Sequence, residues 1–208
     1  MNPPIRKVFI SLVKTKPPYI KYFALKLSFS QTNYYPFTEF KTKIRIMKAV
    51  SKSMKDIDRT ILAEMLEGDF AHASFEQAVK NIPIKFTGVK PEGIPYTIWQ
   101  LCEHIRITQW DIMEFSFNED HLSPIWPKDY WPSENAPINK KAWEECLKKI
   151  HSDRIRFIKE IKNPEQDLYL PFLHGNGQTL FREAILLIDH TSYHTGQIVL
   201  IRKLLGIW

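Results

Sequence analysis

The stretch from Thr179 to Leu205 is apolar on nearly every side, yet it carries two histidines four residues apart, His190 and His194. It contains no proline, and Gly206 stands at its end. Such a segment reads as a long helix, and a helix that is apolar all round must lie inside a fold. Ile185, Leu186, Ile188, Ile198, Val199 and Leu200 supply much of that surface. Residues i and i+4 are neighbours on one helix face, about 40° apart around the axis. Two imidazoles buried there are costly unless each has a partner. One cation shared with a third histidine on another helix satisfies all three rings. His104 offers that third group. It lies mid-helix in W-Q-L-C-E-H-I-R-I-T-Q-W, on a stripe with Leu101, Thr108, Asp111 and Phe115.

The rest of the chain predicts helices joined by Pro-rich loops. Ile57, Ile61, Leu62, Met65 and Leu66 mark a helix over about Asp56–Glu67 that ends at Gly68. Ser74 and Gln77 have capping-box spacing and open a short helix toward Asn81, stopped by Pro83. Three prolines and two glycines make Ile82–Pro95 an irregular connection. Thr97 with Gln100 starts a second long helix to about Phe117. A Pro-rich loop with Trp126, Tyr130 and Trp131 follows, and Asn139 caps a third long helix, Lys140–Lys162. The turn Gly175-Asn176-Gly177 then leads into the fourth. No strand pattern and no internal repeat appears. Four long helices with long loops imply an all-α fold, a four-helix bundle.

Charge divides the chain. Residues 1–46 hold nine Lys/Arg and a single acid, Glu39, while the remainder holds 20 Lys/Arg against 22 Asp/Glu. The body from 47 to 208 therefore lacks the basic surplus of a nucleic-acid-binding domain. The abrupt change at Met47 makes residues 1–46 a basic extension, poorly ordered or foreign to the native chain, with a membrane-surface or partner-binding arm as the alternative. Its apolar run is too short and broken by lysine for a signal peptide. No stretch of about 18 apolar residues is available to span a membrane. Cys102 and Cys146 have no framework spacing, so they read as reduced thiols of a cytoplasmic protein.

Spacing narrows the metal chemistry. Thr191 stands where the glutamate of a zinc-protease helix is required, and no E-x-x-H occurs, so neither a metalloprotease nor a di-iron bundle fits. The donor set is His104, His190 and His194, with zinc, nickel and iron all compatible with imidazole. Asp111 and Asp189 are candidates to orient a ligand ring, with interhelical or surface ion pairing as the alternative. Gln197, one turn beyond His194, is a further polar neighbour that bonds the rings or a nearby loop. The aromatic loop Trp126–Trp131 either walls the site or packs over the bundle end. Tyr193 reads as packing, His121, His174 and His151 as solvated, and His72 as structural.

Three strings, D-H-T-S-Y-H-T-G-Q-I-V-L-I-R-K-L-L-G-I-W, W-Q-L-C-E-H-I-R-I-T-Q-W-D-I and W-P-K-D-Y-W-P, resemble the DinB-like (DNA-damage-inducible) superfamily. The resemblance covers nearly everything after Ile57 and none of residues 1–46. It implies a four-helix bundle in up-down-down-up order, frequent homodimers, and a divalent metal on His104, His190 and His194. It also implies thiol-dependent transferases or isomerases, acting with bacillithiol, mycothiol or glutathione on a small electrophile. A hydrolase using metal-activated water and a non-catalytic, metal-stabilised stress-response protein remain the alternatives.

Overall fold

Local signals set where each helix begins and ends. In the computed structural model, which describes residues 37–68 and 71–208, six α-helices are formed: α1 Phe37–Glu67, α2 Phe75–Val79, α3 Ile84–Thr87, α4 Ile98–Phe117, α5 Lys140–Lys162 and α6 Leu180–Leu204. The Thr97 side chain accepts the Gln100 amide hydrogen at 3.1 Å, and the Gln100 side chain accepts that of Thr97 at 3.1 Å. Ser74 and Gln77 form the same reciprocal box before α2. Asn139 caps α5 by accepting from the Ala142 amide at 2.9 Å. Each cap satisfies amides that a helix start leaves without partners. α6 closes at Gly206, whose φ of 69° lets the Ile207 amide reach back to the Arg202 carbonyl at 2.9 Å.

Among the described residues no strand is formed, so the chain is all-helical there. Two features differ from the sequence reading. α1 begins at Phe37 and not near Asp56, because nothing between Pro36 and Gly68 is a proline or glycine. The expected extension thus contributes the first residues of α1, and its part before residue 37 lies outside the described residues. The outer face of α1 is also wetter than its pattern suggests: Leu62, Ala63 and Leu66 are buried, whereas Ile57, Ile61 and Met65 are exposed. The second difference is α3, one turn inside a segment read as irregular. Pro83 fixes the backbone at its start, with φ −64°, and Gly88 ends it.

A compact unit covers Ile44–Trp208, and its interior has two apolar clusters. One gathers Phe75, Ile98, Leu101, Cys102, Ile105, Trp143, Cys146, Ile150, Ile198 and Ile201. The other gathers Leu62, Leu66, Ile112, Met113, Phe157, Ile161, Leu180 and Leu187. On α6, His190 and His194 lie between the residues given to each cluster and so sit at the seam of the core, whereas on α4 His104 falls within the first cluster's run, beside Cys102 and Ile105. No helix among the described residues is long and apolar enough to cross a membrane.

Thr97 carries two loads, since its hydroxyl also donates to the Asn135 carbonyl at 2.7 Å. Thr97→Ala should lower the unfolding free energy by about 1–2 kcal/mol, the worth of a lost cap plus a hydrogen bond. Urea denaturation measures this directly.

Candidate metal centre

α4 and α6 bring three imidazoles together. Nε2 of His104 and Nε2 of His190 are 3.0 Å apart. One nitrogen from each of His104, His190 and His194 lies within 4.8 Å of the others. Ligand nitrogens around a tetrahedral ion, with bonds of about 2.0–2.1 Å, are roughly 3.3 Å apart. The rings could therefore hold a common ion, the wider separations closing toward that value. His104 and His194 are buried and His190 is half-buried.

Hydrogen bonds select the tautomers of two rings. The Nδ1–H of His104 donates to the Tyr130 carbonyl at 2.9 Å, which leaves Nε2 with its lone pair facing the other rings. The Nδ1–H of His194 donates to Gln197 Oε1 at 2.6 Å, and the Gln197 amide donates in turn to the Tyr96 hydroxyl at 2.6 Å. A partner on the inner nitrogen is how metal-ligating histidines are held in orientation. His190 Nδ1 is buried without a partner. The Trp131 indole lies nearly flat on His104, with ring centroids 3.9 Å apart and planes 9° apart. Trp126 and Tyr193 stand near His104 and His194 respectively, and both are largely exposed.

Burial also decides protonation. It pushes the His190 imidazole down to about 3, helped by the neighbouring His194 and His104. His104 is lowered to about 4, again chiefly by burial, against the raising effect of its bond to the Tyr130 carbonyl. His194 is lowered as well, by burial. All three rings are thus neutral at neutral pH, which is the form that binds metal. Among the described residues no carboxylate or thiol joins the group. Three donors leave a position open on the ion, as catalytic sites do and closed structural sites do not.

The other sequence candidates fall in different places. Gln197 bonds both a ring and the segment before α4, as described. Asp111 reaches no ring of the three. Its carboxylate accepts from the Tyr130 hydroxyl at 2.6 Å and from His121 Nε2 at 2.8 Å. Asp189 lies exposed on α6 and makes no hydrogen bond to the rings. One step along a helix is about 100°, which carries it off the face of His190. His121 is not solvated: Asp111 and an edge-on Trp110 ring at 5.2 Å enclose it. His174 Nε2–H donates to the Phe115 carbonyl, 2.7 Å away, and the ring stacks on Phe172. His72 is exposed, bonded beside itself at the Ala73 carbonyl, and His151 is exposed on α5. Cys102 and Cys146 are buried free thiols, both held protonated by burial. The Tyr130 carbonyl and Tyr96 were not foreseen, because neither a backbone acceptor in a loop nor a residue just before a cap has a distinguishing pattern.

No family model, no curated protein and no solved structure matches the chain.

The depressed pKa values fix a sign. Between the ordinary 6.5 and the folded values near 4 and 3, the unfolded chain binds protons that the folded chain refuses. Metal-free protein should accordingly lose stability as pH falls through that window, by up to about 1.4 kcal/mol per pH unit for each such ring. His190→Gln removes one of these groups. Urea denaturation between about pH 7 and pH 5 should show a shallower loss for this variant than for the parent protein. Equal slopes would contradict a buried, neutral His190.

Proposed function

We propose that this chain is a DinB-like metalloprotein in which His104, His190 and His194 hold a divalent ion that activates a low-molecular-weight thiol for transfer to a small electrophile. The observation that carries the reading is the convergence of three neutral imidazoles with no fourth protein ligand among the described residues. A divalent ion bound there lowers the pKa of a coordinated thiol and so supplies thiolate near neutral pH. The thiol comes from outside, since Cys102 and Cys146 are buried and neither joins the imidazole group. Bacillithiol, mycothiol and glutathione are the reagents to try.

The chain's own residues have definable tasks. The Tyr130 carbonyl and Gln197 keep two ring nitrogens turned inward. Trp131 covers one face of His104 and keeps water from it. The three-helix core also supports the up-down-down-up order: cluster residues from α4 and α5 run from the Ile98 end to the Phe157 end in chain order, and those from α6 run the other way. A homodimer and a cytoplasmic setting, where two unpaired thiols stay reduced, belong to the same reading.

Elemental analysis of protein purified without a histidine tag should find one divalent ion per chain. His104→Ala and His190→Ala should each weaken metal binding by more than about 100-fold, since orienting partners alone are worth about 10–100-fold. Unchanged uptake in both variants would sink the site. A panel of thiols with an electrophile such as a chloronitrobenzene then tests the chemistry: thiol consumption dependent on the metal supports transfer, and ester hydrolysis without any thiol would replace it with a hydrolase.

A further inference from the structure

Beyond the ligands themselves, we infer that Asp111 is a positioning residue for the metal centre, acting on His104 through Tyr130. The inference rests on the metal-binding reading above. Its starting point is the way the loop between α4 and α5 is fastened along α4. The Thr97 hydroxyl donates to the Asn135 carbonyl at 2.7 Å, and the Gln100 side-chain amide reaches the Pro132 carbonyl at 3.5 Å. His104 Nδ1–H donates to the Tyr130 carbonyl at 2.9 Å, and the Tyr130 hydroxyl donates to Asp111 Oδ2 at 2.6 Å. Positions 97, 100, 104 and 111 follow helical spacing, so one stripe of α4 binds the loop at successive heights.

Tyr130 is thus held at both ends. Its backbone accepts from the ligand ring, and its phenol is tied to a carboxylate two turns further along the same helix. A hydrogen bond to a charged acceptor, sheltered from solvent, is among the stronger kinds. Tyr130 is buried, and the Asp111 side chain is only 13% exposed. The second Asp111 oxygen is taken by His121 Nε2, also from the segment between α4 and α5, so both oxygens are committed to that segment. Asp111 therefore fixes where the Tyr130 carbonyl stands. That carbonyl decides the tautomer of His104 and how its Nε2 is aimed. Trp131, the next residue, rests on the same ring, so a shift of Tyr130 moves both restraints together.

The test uses the full chain with Co2+ as probe, reading affinity by competition, the visible spectrum of the bound ion, and the unfolding temperature. Tyr130→Phe and Asp111→Ala should each weaken Co2+ binding by roughly 10-fold or more and alter the spectrum, the effect expected when an orienting partner is lost. The double variant should be little worse than either single one, because both changes break the same bond. Asp111→Asn should recover most of the affinity, since its amide oxygen still accepts from the phenol. Tyr130→Phe removes a single oxygen and keeps the question open should Asp111→Ala fail to fold. Affinity and spectrum equal to those of the parent protein, with only a lower unfolding temperature, would overturn the inference and make the bond a matter of loop packing. Failure of the parent protein itself to bind Co2+ is a different result: it removes the metal reading, and this inference with it.

Discussion

Three imidazoles pressed together inside a low-dielectric seam cannot all be charged, and they cannot all donate. This constraint organises the centre of the molecule. Two of the nitrogens lie 3.0 Å apart, so at most one of that pair carries a hydrogen. The inner nitrogens of His104 and His194 have acceptors and must therefore be the protonated ones. His104 Nε2 is thus left bare toward His190 Nε2, which can donate its hydrogen there, and a cation could take the place of that hydrogen. Burial works in the same direction by holding the rings neutral. The three rings could thus hold a cation from outside, and the Tyr130 carbonyl and Gln197 orient two of them.

Much of this was legible from residue spacing. The capping boxes at Ser74 and Thr97, the cap at Asn139 and the stop at Gly206 locate the helix ends because each motif satisfies specific backbone groups. The i, i+4 pair on α6 shares a face by helix geometry alone, and His104 stands out as a histidine in the middle of a second helix that needs a partner. The polar surroundings were less readable. Asp111 looked like a direct partner of a ligand ring because it shares the stripe of His104, yet it lies two turns away and grips the loop. His121 looked solvated because it sits in a polar loop, and burial came from tertiary contacts with Asp111 and Trp110. The first half of α1 carries no core-facing period, and its apolar residues Ile44, Ile46, Met47 and Val50 are exposed. Backbone carbonyls such as that of Tyr130 leave no trace in a sequence at all.

The same distinction separates the parts of the fold by how they are specified. Helix boundaries depend on neighbours within four residues, and local chemistry encodes them well. The orientation of the ligand rings depends on pairs such as His104 with Tyr130 and Gln197 with Tyr96, which are far apart in the chain. Such pairs are decided only when the helices pack, and they link the histidine cluster to the quality of the core around it.

The fastening of the α4–α5 loop has a consequence for traffic. A connection pinned at Thr97, His104 and Asp111, with an indole lying flat on one ring, is a fixed lining and a poor lid. The other margin of the cluster is bordered by half-buried His190 and the exposed ring of Tyr193. Both belong to α6, so that side is a helix surface that stays in place and not a flap that swings.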